Sequence, residues 1–270
     1  MGKIEIGCQT YTWEMLGNAW TGSVDDMLDI IAGAGYAGVE ITNTMVAEYH
    51  DDPDSFAQAL EKRNLAFASF GFVPMNSFTD PAFFDEEIKR ARKGVDFVSH
   101  FPGCRIDLAG GSSDNRDNMD EKFETMCRIY NEVGAYADGK GVPVDFHPHS
   151  HAGSIIETAE EYARVIECTD PSIIGWCPDS GHIVRGGLDF IETITQYKDR
   201  IRNFHFKDVD NTGTWKLMGD GVCDYPKALK LLESIDYEGW VIGEEESDEA
   251  RADQKDSVTK NRQYLKSLGY

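Results

Sequence analysis

Residues 141–179 read GVPVDFHPHSHAGSIIETAEEYARVIECTDPSIIGWCPD, and this stretch decides the fold. Two short apolar runs, residues 142–147 and 173–178, have the length and composition of buried strands. The amphipathic residues 158–168 between them predict a helix. A strand, a helix and a second strand in this order form a βαβ unit, in which the two strands run parallel.

The same alternation extends along the chain in both directions. Strands are predicted at residues 3–9, 36–42, 65–73, 104–109, 142–147, 173–178, 202–207 and 239–245. Helices are predicted at residues 24–34, 53–64, 81–99, 118–139, 158–168, 188–197, 225–234 and 250–267. Eight strand–helix pairs can close a parallel sheet, so we predict an α/β fold, a single (β/α)8 TIM barrel domain over residues 1–270. An open doubly wound sheet would need a GxGxxG loop after the first strand, where residues 7–13 read GCQTYTW.

The charge balance restricts the class of ligand. The chain has 26 Lys and Arg residues against 48 Asp and Glu residues, a formal net charge of -22. Binding to nucleic acid requires a basic face, and binding to anionic membranes requires basic clusters. We therefore predict a small-molecule substrate and neither a nucleic-acid nor a membrane partner.

The cysteines and the N-terminus indicate the cellular setting. The six cysteines contain no CxxC pair and predict neither a disulfide framework nor a zinc knuckle. They are Cys8, Cys104, Cys127, Cys168, Cys177 and Cys223. The first residues have no long apolar run, so we expect no signal peptide and no membrane span. A reducing, cytoplasmic setting is favoured, and assembly into a homo-oligomer stays open.

Polar side chains are concentrated at the predicted ends of strands five to eight, the face that carries the active site in TIM barrels. One inward-facing group from each of these strands can converge on a point. The four candidates are His147, Asp179, His205 and Glu244. Imidazole and carboxylate ligands suit first-row divalent ions. We predict one divalent metal ion, with Mn²⁺ or Co²⁺ favoured and Zn²⁺, Fe²⁺ or Mg²⁺ as alternatives.

Each of these residues also has a structural interpretation. A single His on a strand is commonly a hydrogen-bonded structural residue, and Asp179 could cap the next segment. Residues 244–246 could be a solvated charge run. The joint arrangement favours a metal site, because five of the seven histidines fall within three strand ends.

Four short segments carry a family resemblance: DSGH at residues 179–182, HFKD at 205–208, GDG at 219–221 and YEGW at 237–240. With them the chain resembles the sugar phosphate isomerase/epimerase family, the xylose-isomerase-like TIM barrels, most strongly from residue 141 onward. The family's usual ligands are a Glu on strand five, an Asp on strand six, a His on strand seven and a Glu on strand eight. Asp179, His205 and Glu244 match the last three, and His147 stands where the first Glu is expected.

The departure at His147 affects the expected reaction. In epimerase and isomerase members the two glutamates form the acid/base pair, so losing one disfavours a symmetrical two-carboxylate epimerisation. His147 and residues 240–248 are instead similar to the inosose dehydratase branch, which removes water from a keto-inositol. The resemblance implies a lyase acting on a keto-cyclitol or keto-sugar, with 3-keto-glycosides as a further substrate class.

The shared first step of elimination and isomerisation is the removal of a proton next to a carbonyl while a metal stabilises the enolate. The catalytic candidates are His182, His149, Lys207 and Glu244, with His149 or His182 as the acid/base. Lys207 could equally form a structural pair with Asp208 or Glu246.

The substrate-binding candidates are Glu246, Arg185, Tyr11 and Trp13. Tyr11, Trp13, Trp20 and Phe72 could form an apolar wall for a sugar ring, or could simply pack in the core. Sugar phosphates are less favoured, because only Lys216 accompanies the GDG turn.

Three alternatives stay open at this point. A ketose isomerase or epimerase would use Glu244 with a His. An endonuclease acting on damaged DNA, from the same superfamily, is disfavoured by the net charge of -22. An inactive binding module would make His147 the trace of a lost activity.

Overall fold

Eight parallel strands form a closed barrel, as the alternation of strands and helices predicts. The computed structural model describes residues 3–150 and 153–270. The strands are β1 (Ile4–Gln9), β2 (Gly38–Thr42), β3 (Ala66–Phe72), β4 (Arg105–Ala109), β5 (Val144–His147), β6 (Ile174–Trp176), β7 (His205–Phe206) and β8 (Gly239–Gly243). Their hydrogen-bonded order is β6-β5-β4-β3-β2-β1-β8-β7. The predicted TIM barrel is therefore confirmed.

The barrel closes between β6 and β7 through isolated contacts. Trp176 pairs with Ile201, and Asp179 pairs with His205, in two separate parallel bridges. The amide of His205 donates to the carbonyl of Pro178 at 2.8 Å. This seam places Asp179 and His205 side by side at the end of the barrel.

In the described part of the chain, eight helices surround the strands. They are α1 (Val24–Ala34), α2 (Pro53–Glu61), α3 (Phe84–Val98), α4 (Met119–Asp138), α5 (Ala159–Cys168), α6 (Phe190–Gln196), α7 (Tyr225–Ser234) and α8 (Gln254–Ser267). The connections contain the short helices Tyr11–Glu14, Ser180–Arg185 and Asp248–Ala252, the 3-10 turns Gly17–Ala19, Ala47–Asp51, Pro81–Phe83 and Lys198–Arg200, and a hairpin of Asp208–Val209 with Trp215–Lys216. Within the described ranges, no helix has both the length and the apolar character needed to cross a bilayer.

Several helices begin where the sequence supplies an N-cap. Ser23 forms a capping box with Asp26 at the start of α1, and Thr158 forms one with Glu161 at the start of α5. Asp224 accepts from a backbone amide at the start of α7. These side chains satisfy amide groups that lack partners in the first turn of a helix.

One predicted helix is divided in the structure. The sequence predicts a continuous helix over residues 250–267, but Asp253 interrupts it with an extended backbone at φ -150° and ψ 97°. The side chain of Asp253 accepts from the amide of Asp256 and so starts α8. The helix breaks because this side chain competes for the backbone amide.

The expectation that the cysteines form no disulfide is wrong for one pair. Cys127 of α4 and Cys168 of α5 are joined by a disulfide bond, with their Cα atoms 5.9 Å apart. The two residues are 41 positions apart in the chain. Only the packing of adjacent helices around the barrel brings them together, so the spacing of cysteines could not reveal this pair.

Candidate metal centre and active site

Four side chains meet at the carboxyl ends of the last four strands. His147 ends β5, Asp179 caps the helix that follows β6, His205 lies in β7, and Glu244 directly follows β8. All four residues are buried. One nitrogen or oxygen atom from each lies within 4.8 Å of the corresponding atoms of the others. The four candidates chosen from the sequence therefore lie together at the carboxyl ends of the strands.

The first two residues present unpaired atoms that suit a cation. His147 places Nδ1 3.1 Å from the carbonyl of Cys177, which leaves Nε2 without a hydrogen-bond partner among the described residues. Asp179 accepts the amide of His182 on Oδ1 at 2.8 Å, and its buried Oδ2 has no partner in the same ranges. Buried polar atoms without partners are unfavourable. A divalent ion between these atoms would satisfy both.

The other two residues are oriented by charged neighbours. Nδ1 of His205 lies 2.7 Å from Oε2 of Glu244, and its Nε2 lies 2.9 Å from Oε2 of Glu40. Burial alone would lower the pKa of His205, but Cys177 and Glu40 raise it well above its usual value, so a bound metal would displace a proton from the ring. The neutral ring would then donate Nε2–H to Glu40 and offer Nδ1 as a ligand atom. The other oxygen of Glu244, Oε1, accepts from Nζ of Lys207 at 2.8 Å. Outer groups of this kind fix the orientation of metal ligands, so the residues present fit a divalent metal site.

Burial sets the protonation of the first two residues. Burial, with His205 adding to the effect, lowers the pKa of His147 to about 3. His147 is then a neutral imidazole at neutral pH, the form that binds metals. Burial raises the pKa of Asp179 to about 7. A cation beside Asp179 would favour its carboxylate form.

Lys207 compensates the charge of Glu244, one of the four candidate ligands, and of the neighbouring Glu246. Its ammonium group donates to Glu244 and to Glu246. Burial alone would lower the pKa of Lys207, but these two carboxylates raise it above its usual value. Asp208 instead accepts backbone amides from the turn at residues 219–221. Of the two structural partners considered from the sequence, Lys207 therefore pairs with Glu246.

A cavity of about 490 Å³ is lined by two of the four candidate ligands, His147 and Glu244. Its charged lining is mainly acidic. The lining carboxylates are Glu40, Asp107, Glu244 and Glu246, and Arg185 is the lysine or arginine that the described lining contributes. Such a surface disfavours a phosphorylated ligand and suits a neutral polyol, whose hydroxyl groups donate to carboxylates.

The aromatic candidates separate into two groups. Tyr11 and Phe72 line the cavity. Trp13 is fully buried, and its ring centroid lies 6.2 Å from that of Trp20. Trp13 belongs to the core, so it is not part of a substrate wall. The sequence alone does not tell which side of the short helix Tyr11–Glu14 faces the core, so it could not distinguish Trp13 from Tyr11.

Two histidines outside the ligand group also line the cavity. The ring of His149 stands edge-on to that of His147, with centroids 4.6 Å apart, and lies 5.0 Å from that of His182. His182 is held at both nitrogens, with the amide of Ser150 2.9 Å from Nδ1 and Nζ of Lys207 3.2 Å from Nε2. Burial, followed by Lys207, lowers the pKa of His182 well below its usual value.

Trp215 packs against two residues of the cavity wall, His182 and Arg185. Arg185 lines the cavity, and its guanidinium carbon lies 4.7 Å from the centroid of the Trp215 ring. Nζ of Lys207 lies 4.3 Å from the same centroid. The ring of Trp215 therefore contacts both cations, which a sequence pattern could not indicate.

Sequence reasoning missed two buried carboxylates from the first half of the chain. Glu40 of β2 supports His205, and Asp107 of β4 accepts from the side-chain amide of Asn203 at 2.8 Å. Burial raises the pKa of Asp107 well above its usual value, and Glu40 adds to the shift. A charged residue inside an otherwise apolar strand was the available signal, because such residues are rarely buried without a partner.

We expect replacement of Glu40 by Gln to weaken metal binding. The substitution keeps the size and an acceptor oxygen but removes the charge beside His205. Loss of such an outer partner typically raises the metal Kd about 10- to 100-fold. Calorimetric titration with Mn²⁺ measures the change, and Glu61→Gln, an exposed helix substitution, is the control. Equal affinities of the two variants would refute a supporting role for Glu40.

Metal binding should also depend on pH through Asp179. The carboxyl binds metal only when ionised, and its pKa of about 7 in the metal-free protein means that a proton must leave below that pH. The pKa of His205 also lies well above its usual value, so metal binding displaces a proton there too. We expect the affinity to rise by at least about tenfold per pH unit between pH 5 and 6.5 and less steeply above pH 7. Calorimetry in buffers of different ionisation enthalpy counts the released proton; no release at pH 6 would contradict this assignment.

Comparison with known proteins places the chain among enzymes of related fold. It is 27% identical to inosose dehydratase of Clostridium perfringens strain 13, and the alignment covers 92% of this chain and 94% of that protein. The crystal structure of IolI protein with a binding zinc atom superposes with a TM-score of 0.83 at 16% identity, over 98% of this chain and 97% of that one.

A second solved structure has the same fold. The apo form of 3-keto-D-glucoside 4-epimerase, YcjR, from E. coli superposes with a TM-score of 0.75 at 16% identity, over 97% of this chain and all (100%) of that one. The family model described as Xylose isomerase-like TIM barrel matches residues 28–268. With this match over most of its length, the chain belongs to the xylose isomerase-like TIM barrel family.

Proposed function

We propose that the chain is a divalent-metal-dependent lyase that eliminates water or an alcohol from a keto-cyclitol or keto-sugar. Its family membership and the inosose dehydratases among its relatives support an enzyme acting on sugars or cyclitols. The observation that carries the choice of a lyase is the ligand group itself. Its members are two imidazoles and two carboxylates, with Glu244 as the one glutamate. A pair of ligating glutamates that could exchange a proton symmetrically is absent from this described group.

The proposed reaction begins with the removal of a proton from the carbon next to a ketone. A divalent ion held by His147, Asp179, His205 and Glu244 would act as a Lewis acid and stabilise the charge that develops on the carbonyl oxygen. Mn²⁺ or Co²⁺ is our preferred ion, because both accept mixed nitrogen and oxygen ligands. The acidic cavity then binds the hydroxyl groups of a neutral substrate.

We assign proton transfer to His149 and His182. Both line the cavity next to the ligand group without belonging to it. Elimination needs a base for the carbon-bound proton and an acid for the departing oxygen, and two neighbouring imidazoles can serve in turn. Burial, followed by Lys207, holds the pKa of His182 well below its usual value, so its protonated form would be a strong acid toward the departing oxygen.

The remaining roles concern binding. Glu246 lines the cavity and is held by Lys207, so it can accept a substrate hydroxyl group while its position stays fixed. Lys207 acts through Glu244 and Glu246 as a positioning residue. Arg185 and Tyr11 contact the substrate from the cavity wall.

The product distinguishes this proposal from an isomerase or epimerase. We expect Mn²⁺-loaded protein to convert a keto-inositol or a 3-keto-glycoside into a product that is lighter by one water or one alcohol, as measured by mass spectrometry. Elimination removes atoms, whereas isomerisation and epimerisation do not. A product of unchanged mass would assign the chain to the isomerase or epimerase class, and metal binding without turnover would favour a binding module.

Replacement of His205 by Ala should abolish metal binding and turnover together. The ring contacts Glu244 on one side and Glu40 on the other, so its loss removes a ligand and the link between two strands. Metal content by elemental analysis and turnover are measured on the same preparation, with His100→Ala as the control on the outer surface. A fully active variant would remove His205 from the site.

A further inference from the structure

An apolar lip follows β3 at the mouth of the cavity. It consists of Val73, Pro74 and Met75, all three of which line the cavity. Val73 is 37% exposed and Met75 is 66% exposed. Only two other large hydrophobic residues in the described ranges are as open to solvent, Phe83 and Val222. An apolar patch that borders a binding cavity indicates a ligand with an apolar part.

The lip is held in place from both sides. Asn43 fixes its first residue, because its side chain accepts the amide of Val73 at 2.7 Å and donates to the carbonyl of Val73 at 3.2 Å. The backbone of Ser77 and Phe78 is left-handed, with φ angles of 64° and 60°, a conformation that residues other than glycine rarely adopt. Phe78 is buried, with its ring 6.0 Å from that of Phe72. Strain of this kind persists where the surroundings impose it, commonly at ligand sites.

The lip lies opposite the metal centre. In a closed barrel of eight strands β3 faces β7, because the hydrogen-bonded order places three strands between them on one side and three on the other. Val73 directly follows β3, and His205 lies in β7. A sugar ring whose ketone points toward the ligand group would therefore direct a substituent on its far side toward the lip.

We propose that the lip binds an apolar group carried through oxygen on the substrate, so that the substrate class is a keto-glycoside with an apolar aglycone. This inference rests on the proposed function. A free keto-cyclitol carries hydroxyl groups on every side and would leave the lip exposed to water. An O-linked alkyl or aryl group would cover it and lose its own contact with water.

The reaction balances with this substrate. A base takes the proton from the carbon next to the ketone, and the electron pair forms a carbon–carbon double bond. The bond from the next carbon to the glycosidic oxygen breaks, and its electron pair leaves with that oxygen. A general acid protonates the oxygen and releases the aglycone as an alcohol. No oxidant or reductant is required.

The test compares two substrates that differ in apolar surface but not in leaving-group chemistry. Methyl and cyclohexylmethyl 3-keto-glucosides release alcohols of similar acidity, so a difference in kcat/KM reports binding. We expect the Mn²⁺-loaded protein to prefer the cyclohexylmethyl compound about tenfold, an amount that covering the lip can supply. Val73→Ser with Met75→Ser should reduce the preference to about twofold or less. Val222→Ser, at a residue 41% exposed and away from the cavity lining, should retain it.

The outcomes separate this inference from the proposed function. Elimination from both glycosides with equal kcat/KM, or a preference that the double substitution leaves intact, would overturn the lip as a binding site while the lyase stands. Elimination from keto-inositol but from neither glycoside would likewise overturn the lip as a binding site and leave the lyase standing. No elimination from any of these ketones by metal-loaded protein would overturn the proposed function and this inference together.

Discussion

The burial of negative charge around one point is the constraint on which the site depends. Glu40, Asp107, Asp179 and Glu244 are all buried at the same end of the barrel. An unpaired buried charge costs several kcal/mol. Lys207 offsets part of this charge through Glu244, and a divalent ion would offset more. The buried carboxylates that need a compensating cation thus also supply the atoms that could bind one.

The compensation links distant parts of the chain. Glu40 of β2 bonds to His205 of β7, His205 bonds to Glu244 after β8, and Glu244 bonds to Lys207. The first of these contacts crosses the barrel interior, because β2 and β7 are not neighbours in the sheet. The first half of the chain therefore helps to form the candidate metal site, whose four proposed ligands all come from the second half.

Much of the fold and part of the site follow from the sequence, for reasons that particular residues make clear. The repeated strand and helix periods predict the barrel, and the position of His147, Asp179 and His205 after apolar runs brings them to one face. Glu40 was missed because its partner lies far along the chain. Trp13 was misplaced because a sequence does not tell which side of a short helix faces the core. Such contacts depend on the closed barrel.

The seam between β6 and β7 gives the metal site a second consequence. The strands meet there through isolated bridges, one of which joins Asp179 to His205. Both residues belong to the candidate ligand group. A bound ion would therefore connect these two strands at the place where only isolated bridges join them. Ligands that bind only the folded state stabilise it by mass action. Occupancy of the site would then lower the frequency with which the barrel opens locally between these two strands.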